Sequence, residues 1–248
     1  MYQKERLDKI LEILKENRYV TVKYLTKKLN TSNATVNRDL NLLENRKTVM
    51  RSYGGVEICE DKRIPLEFRY SKERIVKRKI AKIAAELICD GDFVFIGSST
   101  TIENIGEFLS SKEGVTVMTS NLTLASHLSE CGVATVCTGG SVVEPPNMLG
   151  GIDAVRTVRR YNFDKMFFSA AGVNDSGIIT ETGEYCAEIN DAAMANSKQM
   201  FFLVDHTKIN VEAKYNISDF SQINGVISDY DFPEATKMKY SNTVFYKV

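Results

Sequence analysis

Three residues spaced three or four positions apart, Ala34, Arg38 and Asn41, have side chains suited to contact with base pairs. Arginine can donate two parallel hydrogen bonds to guanine, asparagine can pair with adenine, and a small residue lets a helix end enter the major groove. On a helix these positions share one face, because successive residues are rotated by about 100°. The pattern favours a helix that reads DNA; the alternative is an ordinary solvated helix face.

A second set of residues, with side chains suited to phosphate binding, follows short apolar stretches in the second half of the chain. It consists of hydroxyl, amide and glycine residues and one lysine: Ser98, Ser99, Thr100, Thr101, Ser120, Asn121, Gly139, Gly140 and Lys208. Hydroxyls and helix N-terminal amides can cradle a phosphate, and a lysine adds a cation. Each turn alone is weak support, because Ser, Thr and Gly are common turn and cap residues. Their repetition at successive strand ends favours phosphate binding.

Two short helices joined by a tight turn must position the first set. Thr21 and Ser32 are predicted N-caps, because each hydroxyl can accept a hydrogen bond from a backbone N–H of its helix. The second helix is predicted to run to about Asn45. The inward positions of the two helices are Val22, Leu25, Leu29, Val36, Leu40 and Leu43. An earlier amphipathic helix with Leu7, Ile10, Leu11 and Leu14 supplies the third helix of a small DNA-binding domain.

A hairpin is predicted directly after the second helix. Residues 49–52 and 56–58 indicate two short strands, and Gly54 and Gly55 permit positive φ at the turn between them. Arg51 and Tyr53 would lie on the flank or tip of this wing, where a basic residue suits contact with phosphate or the minor groove. The predicted DNA-contacting residues are Thr21, Ser32, Asn33, Ala34, Thr35, Asn37, Arg38, Asn41, Arg51 and Tyr53.

Short strands alternating with helices must position the second set. The predicted strands are residues 93–96, 115–118, 134–137, 165–168 and 200–204. This alternation predicts a mostly parallel sheet with helices on both faces, and the loops after its strands share one edge, where ligands bind. A helix is predicted over residues 71–89, with Ile75 among its apolar positions, and another is predicted to reach about Ser110. The basic residues 77–79 could contact DNA, but the pattern favours a solvated or interdomain surface.

Charge is unevenly distributed, although the 248 residues have a formal net charge of zero. Residues 1–82 contain 21 Lys and Arg against 11 Asp and Glu, and residues 83–248 contain 11 against 21. The first part therefore suits a polyanion, and the second can bind at most a small anion in a local pocket. Five cysteines without C-x-x-C spacing and two histidines predict no disulfide framework, no metal site and mostly buried thiols.

The sequence also bears on where the protein acts. It shows no secretory pattern at its N-terminus and no apolar run approaching about 18 residues. We therefore expect a soluble, cytoplasmic protein with no membrane partner.

The first set resembles the N-terminal signature of the DeoR family of bacterial transcription regulators. The matching residues are 35–40 (Thr-Val-Asn-Arg-Asp-Leu), 43–44 (Leu-Glu) and 51–55 (Arg-Ser-Tyr-Gly-Gly). The family usually has arginine, glycine and histidine at the positions of Asn37, Lys47 and Tyr53. Because Asn37 falls on an expected base-contacting position, the operator sequence does not follow from the resemblance.

The resemblance continues through the second half, including Thr100-Thr101 and residues 119–121, 139–140, 172–174 and 205–208. The family's C-terminal domain is similar to ribose-phosphate isomerases and typically senses a phosphorylated sugar. The resemblance implies phosphate on the loops at 98–101, 120–121 and 139–140, and adds Gly172, Thr180 and Asp205 to the effector-binding residues. Gly97 and Asn174 stand where relatives often carry carboxylates, which removes two candidate sugar-hydroxyl acceptors or general bases.

The expected fold is α/β: residues 1–58 form a winged helix-turn-helix domain, residues 59–72 a linker, and residues 73–248 an α/β domain for effector sensing and oligomerisation. The expected function is a repressor of a sugar-metabolism operon, with operator DNA, a phosphorylated sugar and further copies of the chain, as a dimer or tetramer, for partners. No cofactor is expected. A phosphosugar isomerase with an accessory DNA-binding domain, and a helix-turn-helix used only for protein contact, are the alternatives.

Overall fold

A computed structural model describes residues 2–17, 19–46, 48–52, 55–58, 73–143 and 147–248. The chain divides into two compact units, Met1–Lys72 and Glu73–Val248. The predicted linker, residues 59–72, lies outside the described residues, as does Tyr53, so the linker's extent and the role of Tyr53 stay predictions.

Three helices and a small sheet form the first unit. The elements are α1 (Gln3–Asn17), β1 (Tyr19–Thr21), α2 (Val22–Leu29), α3 (Asn33–Asn45), β2 (Val49–Ser52) and β3 (Gly55–Ile58). The strands lie in the order β1-β3-β2, and all neighbours are antiparallel. The predicted helices and wing strands are confirmed, whereas β1 was not predicted, because three residues are too few to show an alternating pattern.

The helix starts in this unit follow directly from the sequence. The Thr21 side chain accepts a hydrogen bond from the Tyr24 N–H at 3.1 Å, and Ser32 accepts one from the Thr35 N–H at 3.2 Å. Asn30 ends α2 in the left-handed conformation, with φ 48°. Both predicted N-caps are confirmed, and they fix the angle at which α3 begins. The buried core is apolar: Leu7, Ile10, Leu11, Leu14, Val20, Leu25, Leu29, Val36, Leu40, Leu43, Val49 and Val56.

A seven-stranded sheet forms the centre of the second unit. Across it the strands lie in the order β15 (Val244–Lys247), β14 (Gly225–Ser228), β12 (Ser197–Val204), β9 (Phe163–Phe168), β4 (Phe93–Ile96), β5 (Thr116–Thr119) and β6 (Ala134–Cys137). Every neighbouring pair is parallel. The predicted parallel sheet is confirmed, and the ends of its strands share one edge.

Helices cover both faces of this sheet, as predicted. They are α4 (Arg74–Glu86), α5 (Leu122–Glu130), α6 (Ile152–Val158), α7 (Glu184–Met194) and α8 (Glu234–Lys239). Adjacent strand residues point to opposite faces. Val94 therefore joins a core with residues of α4 and α5, and Phe95 joins a second core with residues of α6 and α7.

Two small antiparallel sheets lie beside the main one. One pairs β10 (Gly172–Val173), β11 (Ile178–Glu181) and β13 (Tyr215–Asp219), and the other is a hairpin of β7 (Ser141–Val143) and β8 (Met148–Gly150). Within the described residues, no helix is both long and apolar enough to cross a membrane.

Three sequence predictions about the second unit are wrong. The helix predicted over residues 71–89 is α4, Arg74–Glu86, and Ile75 is 75% exposed instead of packed. The helix expected to reach Ser110 ends earlier and is a 3₁₀ helix, Ile102–Phe108, in which the Asn104 side chain donates to the Thr100 and Thr101 carbonyls. Three of the four described cysteines are exposed, contrary to the prediction of mostly buried thiols: Cys89, Cys131 and Cys137.

Candidate DNA-binding surface and effector site

The exposed face of α3 carries the predicted base-reading residues. Ala34, Arg38 and Asn41 are exposed, whereas Val36 and Leu40 on the opposite face are completely buried. The expected orientation of the helix is therefore confirmed.

Side chains at the start of α3 form hydrogen bonds with one another and with α2. Ser32 and Asn33 are exposed and Thr35 is half-buried. The Ser32 and Thr35 hydroxyls lie 2.9 Å apart, and the Asn33 amide oxygen accepts a hydrogen bond from Thr26 at 2.6 Å. These contacts hold the helix end in place, and the contact of these residues with DNA stays a prediction.

A buried ion pair that sequence reasoning missed joins α1 to α3. Asp39 is completely buried; its carboxylate accepts hydrogen bonds from Arg6 Nε at 2.7 Å, Arg6 Nη2 at 3.2 Å and Gln3 Nε2 at 3.3 Å. A buried carboxylate needs such partners. The signal in the sequence was an acidic residue next to Leu40 on the inward side of the helix.

Arg51 of β2 contacts α3. Its Nη1 donates to Asn37 Oδ1 at 3.2 Å, its Nη2 donates to the Asn37 carbonyl at 2.9 Å, and its Nε lies 3.4 Å from Glu44 Oε2. Both residues were predicted to contact DNA, and the structure shows them bonded to each other.

The outer face of α2 adds basic charge to this unit. Lys23, Lys27 and Lys28 are exposed, and the Lys28 ammonium lies 5.8 Å from the centre of the Tyr24 ring. Such side chains suit sequence-independent contact with phosphates, which sets the register of a helix in the major groove.

In the second unit, the carboxyl edge of the seven-stranded sheet brings together the predicted effector loops. Ser98–Thr101 follow β4, Ser120 and Asn121 follow β5, and Gly139 and Gly140 follow β6. Asn121 Nδ2 lies 3.4 Å from Ser98 Oγ, which links the first two loops directly. Asn121 also caps α5, because its Oδ1 accepts the Leu124 N–H at 2.9 Å.

Two lysines supply positive charge at this edge. Lys77 of α4 is buried, and its Nζ donates to Thr100 Oγ1 at 3.1 Å. Lys208 Nζ donates to Ser169 Oγ at 3.1 Å and to the Ala170 carbonyl at 2.7 Å. Lys208 was predicted here. The interpretation of Lys77 as a solvated residue is wrong, because its side chain is buried.

Asp205 lies between these charges and is ionised at neutral pH. Burial by itself raises the pKa of Asp205, but the Lys208 ammonium, hydrogen bonds from Thr207 and the Lys77 ammonium outweigh it. The pKa of Asp205 therefore lies below its ordinary value. An ionised carboxylate beside two ammonium groups can accept hydrogen bonds from sugar hydroxyls while the cations attract phosphate.

A buried polar cluster, made of Glu103, Asn121 and Asn147, lies beneath the loops. Glu103 Oε1 accepts hydrogen bonds from Asn121 Nδ2 at 2.5 Å and from Asn147 Nδ2 at 2.8 Å. Three buried side-chain oxygens at this edge have no hydrogen-bond partner among the described residues: Thr101 Oγ1, Ser120 Oγ and Asn147 Oδ1. Unsatisfied buried polar atoms are rare in folded proteins, and an ordered water or a bound polar ligand would satisfy these three.

Family models match both units of the chain. Residues 6–62 match the model described as a DeoR-like helix-turn-helix domain, and residues 72–230 match the DeoR C terminal sensor domain. The chain belongs to the DeoR family. The predicted resemblance is therefore confirmed along most of the sequence.

Curated DeoR-family relatives align with nearly the whole chain. The lactose phosphotransferase system repressor of Staphylococcus aureus is 30% identical, covering 94% of this chain and 95% of the relative. The HTH-type transcriptional repressor GlcR of Bacillus subtilis is also 30% identical, covering 92% and 89%. Both are named as repressors, in agreement with the prediction that the chain is not an enzyme.

Solved structures similar to the chain are distant in sequence. Ribose 5-phosphate isomerase A from Methanocaldococcus jannaschii is 17% identical with a TM-score of 0.43, covering 56% of this chain and 55% of that chain. The eIF2B delta subunit from Chaetomium thermophilum is 16% identical with a TM-score of 0.49, covering 82% and 66%.

Gly172 and Thr180 of this DeoR-family chain have structural contacts. They face each other across β10 and β11. A Cβ at Gly172 would lie 2.2 Å from the Val211 carbonyl oxygen, and Thr180 Oγ1 accepts the Ala213 N–H at 2.9 Å. Asn174, at the position where relatives often carry a carboxylate, donates to Glu212 at 2.8 Å. Contact of Gly172 and Thr180 with an effector stays a prediction.

The paired glycines after β6 make a testable contrast, because both have positive φ, +70° at Gly139 and +99° at Gly140. A Cβ at Gly140 would lie 2.5 Å from the Gly150 carbonyl oxygen, whereas a Cβ at Gly139 would meet nothing within 4 Å. We expect Gly140→Ala to lower the free energy of unfolding by roughly 2–5 kcal/mol and Gly139→Ala by roughly 1–2 kcal/mol, measured by urea unfolding. Equal losses would contradict a clash at Gly140.

His206 should titrate above its ordinary range. The hydrogen bond with Asp229, at 2.5 Å, raises the pKa of His206 despite partial burial. The stabilisation is therefore present below the unfolded-state pKa, about 6.5, and is lost as pH rises through the folded value. Because the His206 side chain is 46% exposed, the ion pair with Asp229 stabilises the folded state by less than about 1 kcal/mol.

Asp229→Asn tests this ion pair, because asparagine can still accept the His206 backbone N–H that Asp229 binds at 2.8 Å. We expect the imidazole pKa of His206 to fall toward about 6.5 in an NMR titration. His127 is the other histidine in the chain and serves as the internal reference. An unchanged His206 titration would show that Asp229 is not the cause.

Proposed function

We propose that the chain is a cytoplasmic, sequence-specific repressor of a sugar-metabolism operon, whose affinity for operator DNA is modulated by a phosphorylated sugar. The observation that carries the effector half is the placement of two ammonium groups, Lys77 and Lys208, among hydroxyl-bearing loops at one sheet edge. The repressors named among its DeoR-family relatives support the operon class.

The phosphate is proposed to bind next to Lys77. Its Nζ is already within 3.1 Å of Thr100, and the buried hydroxyls of Thr101 and Ser120 can donate to phosphate oxygens. Hydrogen bonds between an ammonium group and a phosphate are stronger than those between neutral groups. An unphosphorylated sugar offers no such charge and should bind much more weakly.

The sugar is proposed to lie beside Asp205. Its carboxylate is ionised and accepts hydrogen bonds. Sugar hydroxyls donate such bonds, whereas a fully ionised phosphate cannot. The proposal therefore gives the phosphate a donor, Lys77, and the sugar hydroxyls an acceptor, Asp205, at the same sheet edge.

Modulation requires two arrangements of a homo-oligomer. One recognition helix reads few base pairs, so pairing two of them on two half-sites multiplies affinity and fixes the spacing. The effector shifts the balance between arrangements only by as much as it prefers one of them. We propose that the effector favours the arrangement that does not fit the operator, so that binding releases DNA.

The test is fluorescence anisotropy of the full chain on duplex DNA from upstream of its own gene, with and without a panel of pentose and hexose phosphates. The controls are the unphosphorylated sugars, inorganic phosphate and a scrambled duplex. Release by one phosphosugar alone is the expected result. Folded protein that binds no DNA at low salt would contradict the proposal. Turnover of a sugar phosphate would instead favour the alternative function, a phosphosugar isomerase.

A further inference from the structure

Both ends of the Asn37 side chain are hydrogen-bonded within the protein, one of them to Arg51. Asn37 Oδ1 accepts from Arg51 Nη1 at 3.2 Å, and Asn37 Nδ2 donates to the Asn33 carbonyl at 2.9 Å. Asparagine reads adenine by presenting its donor and its acceptor together. Each end keeps one further hydrogen-bonding position, but the two bonds fix the orientation of the Asn37 amide within the protein.

Arg51 is similarly committed to α3. Its two terminal nitrogens bind the side chain and the carbonyl of Asn37, and its Nε lies 3.4 Å from Glu44 Oε2. The same nitrogens form the fork with which arginine clamps a phosphate, so a bidentate phosphate contact would compete with the contact to Asn37. The contact joins the wing strand β2 to the middle of α3, 14 residues earlier in the chain.

We infer that Arg51 and Asn37 are positioning residues: together they fix the angle between the wing and the recognition helix, and Arg38 and Asn41 read the bases. The inference rests on the proposed DNA binding. It assigns no phosphate to Arg51 and no base to Asn37. Arg38 and Asn41 fit the reading role because both are exposed on the outward face of α3.

The two possible roles of Arg51 differ in their dependence on salt. A phosphate contact releases about one counterion, so its loss lowers the slope of log affinity against log salt by about 1 and weakens all duplexes alike. A positioning contact releases none. Its loss misplaces Arg38 and Asn41, which narrows the preference for operator over scrambled DNA and leaves the slope unchanged.

Arg51→Lys is the sharpest variant, because lysine keeps the charge and lacks the fork. We expect Arg51→Lys, Arg51→Ala and Asn37→Ala each to weaken operator binding about tenfold at an unchanged salt slope. We expect the double variant Asn37→Ala/Arg51→Ala to be no weaker than either single variant, because both remove the same contact. Anisotropy on operator and scrambled duplexes across a salt series measures the affinity and the salt slope of all four variants.

Three outcomes would overturn the inference. The first is wild-type operator affinity in Arg51→Lys together with a reduced salt slope in Arg51→Ala. The others are additive losses of operator affinity in the double variant, and equal losses of affinity for operator and scrambled DNA. Failure of the proposed function looks different, because wild type itself then binds no operator. In that case a double-mutant cycle on urea unfolding of the full chain tests the contact, and additive effects of Asn37→Ala and Arg51→Ala reject it.

Discussion

Replacement of Lys77 by methionine should leave operator binding in place and raise the phosphosugar concentration needed for half-maximal release by about 100-fold. Methionine keeps the length and apolar stem of lysine and removes the ammonium that contacts Thr100. A hydrogen bond to a charged group contributes about 1.5–3 kcal/mol, and 100-fold corresponds to about 2.7 kcal/mol. Anisotropy on operator DNA with increasing phosphosugar measures the shift.

Lys79→Met is the matched control, because Lys79 lies two residues away on the same helix and is exposed. It should change neither operator affinity nor effector potency. A second control is the unphosphorylated sugar, whose weak effect should be the same for wild type and Lys77→Met. If Lys77→Met responds to the phosphosugar as wild type does, the phosphate does not bind at Lys77 and the proposed phosphate position is wrong.

The position of Lys77 could have been predicted. It precedes Ile80, Ala81 and Ala84 by three, four and seven residues, the spacing of one helix face, and all three are completely buried. Its grouping with two other basic residues in sequence concealed this, because charge runs usually lie on solvated surfaces. The helical spacing of Lys77 relative to these buried apolar residues predicts that its side chain points inward, whatever the charge of its neighbours.

Most of the sequence predictions that the structure confirms depend on local patterns. The caps Thr21 and Ser32 and the outward face of α3 follow from hydrogen bonding and rotation within a few residues of the chain. The shared loop edge follows from the rule that parallel strands end together. Each of these inferences needs only neighbouring residues and one general constraint on the fold.

Contacts between distant residues were not predictable in the same way. Asp39 and Arg6 are 33 positions apart, and Glu103 and Asn147 are 44 apart. Nothing in the spacing of such polar residues identifies the partner, since many cations and amides could have served. The 3₁₀ form of the helix Ile102–Phe108 was not predicted either, although the Asn104 contacts within it are local, three and four residues apart.

Arg38→Ala is expected to weaken operator binding by roughly 5–150-fold, because a bidentate arginine contact to guanine contributes about 1–3 kcal/mol of discrimination. Scrambled DNA should lose much less, since base contacts specify and phosphate contacts only position. The Arg38 side chain is exposed, so the change should not alter the free energy of unfolding by more than about 0.5 kcal/mol. Anisotropy on both duplexes, with urea unfolding alongside, separates these effects.

Arg38→Lys then distinguishes reading from attraction. Lysine keeps the charge and loses the fork, so the salt slope should stay at the wild-type value while discrimination at one base pair falls. Substituting each operator base pair in turn should identify that pair, because the Arg38→Lys penalty disappears where guanine is already absent. Arg51→Lys should instead narrow discrimination at every pair read by α3. If Arg38→Lys binds every substituted operator with wild-type affinity, Arg38 does not read a base pair. Arg38 would then contact phosphate instead.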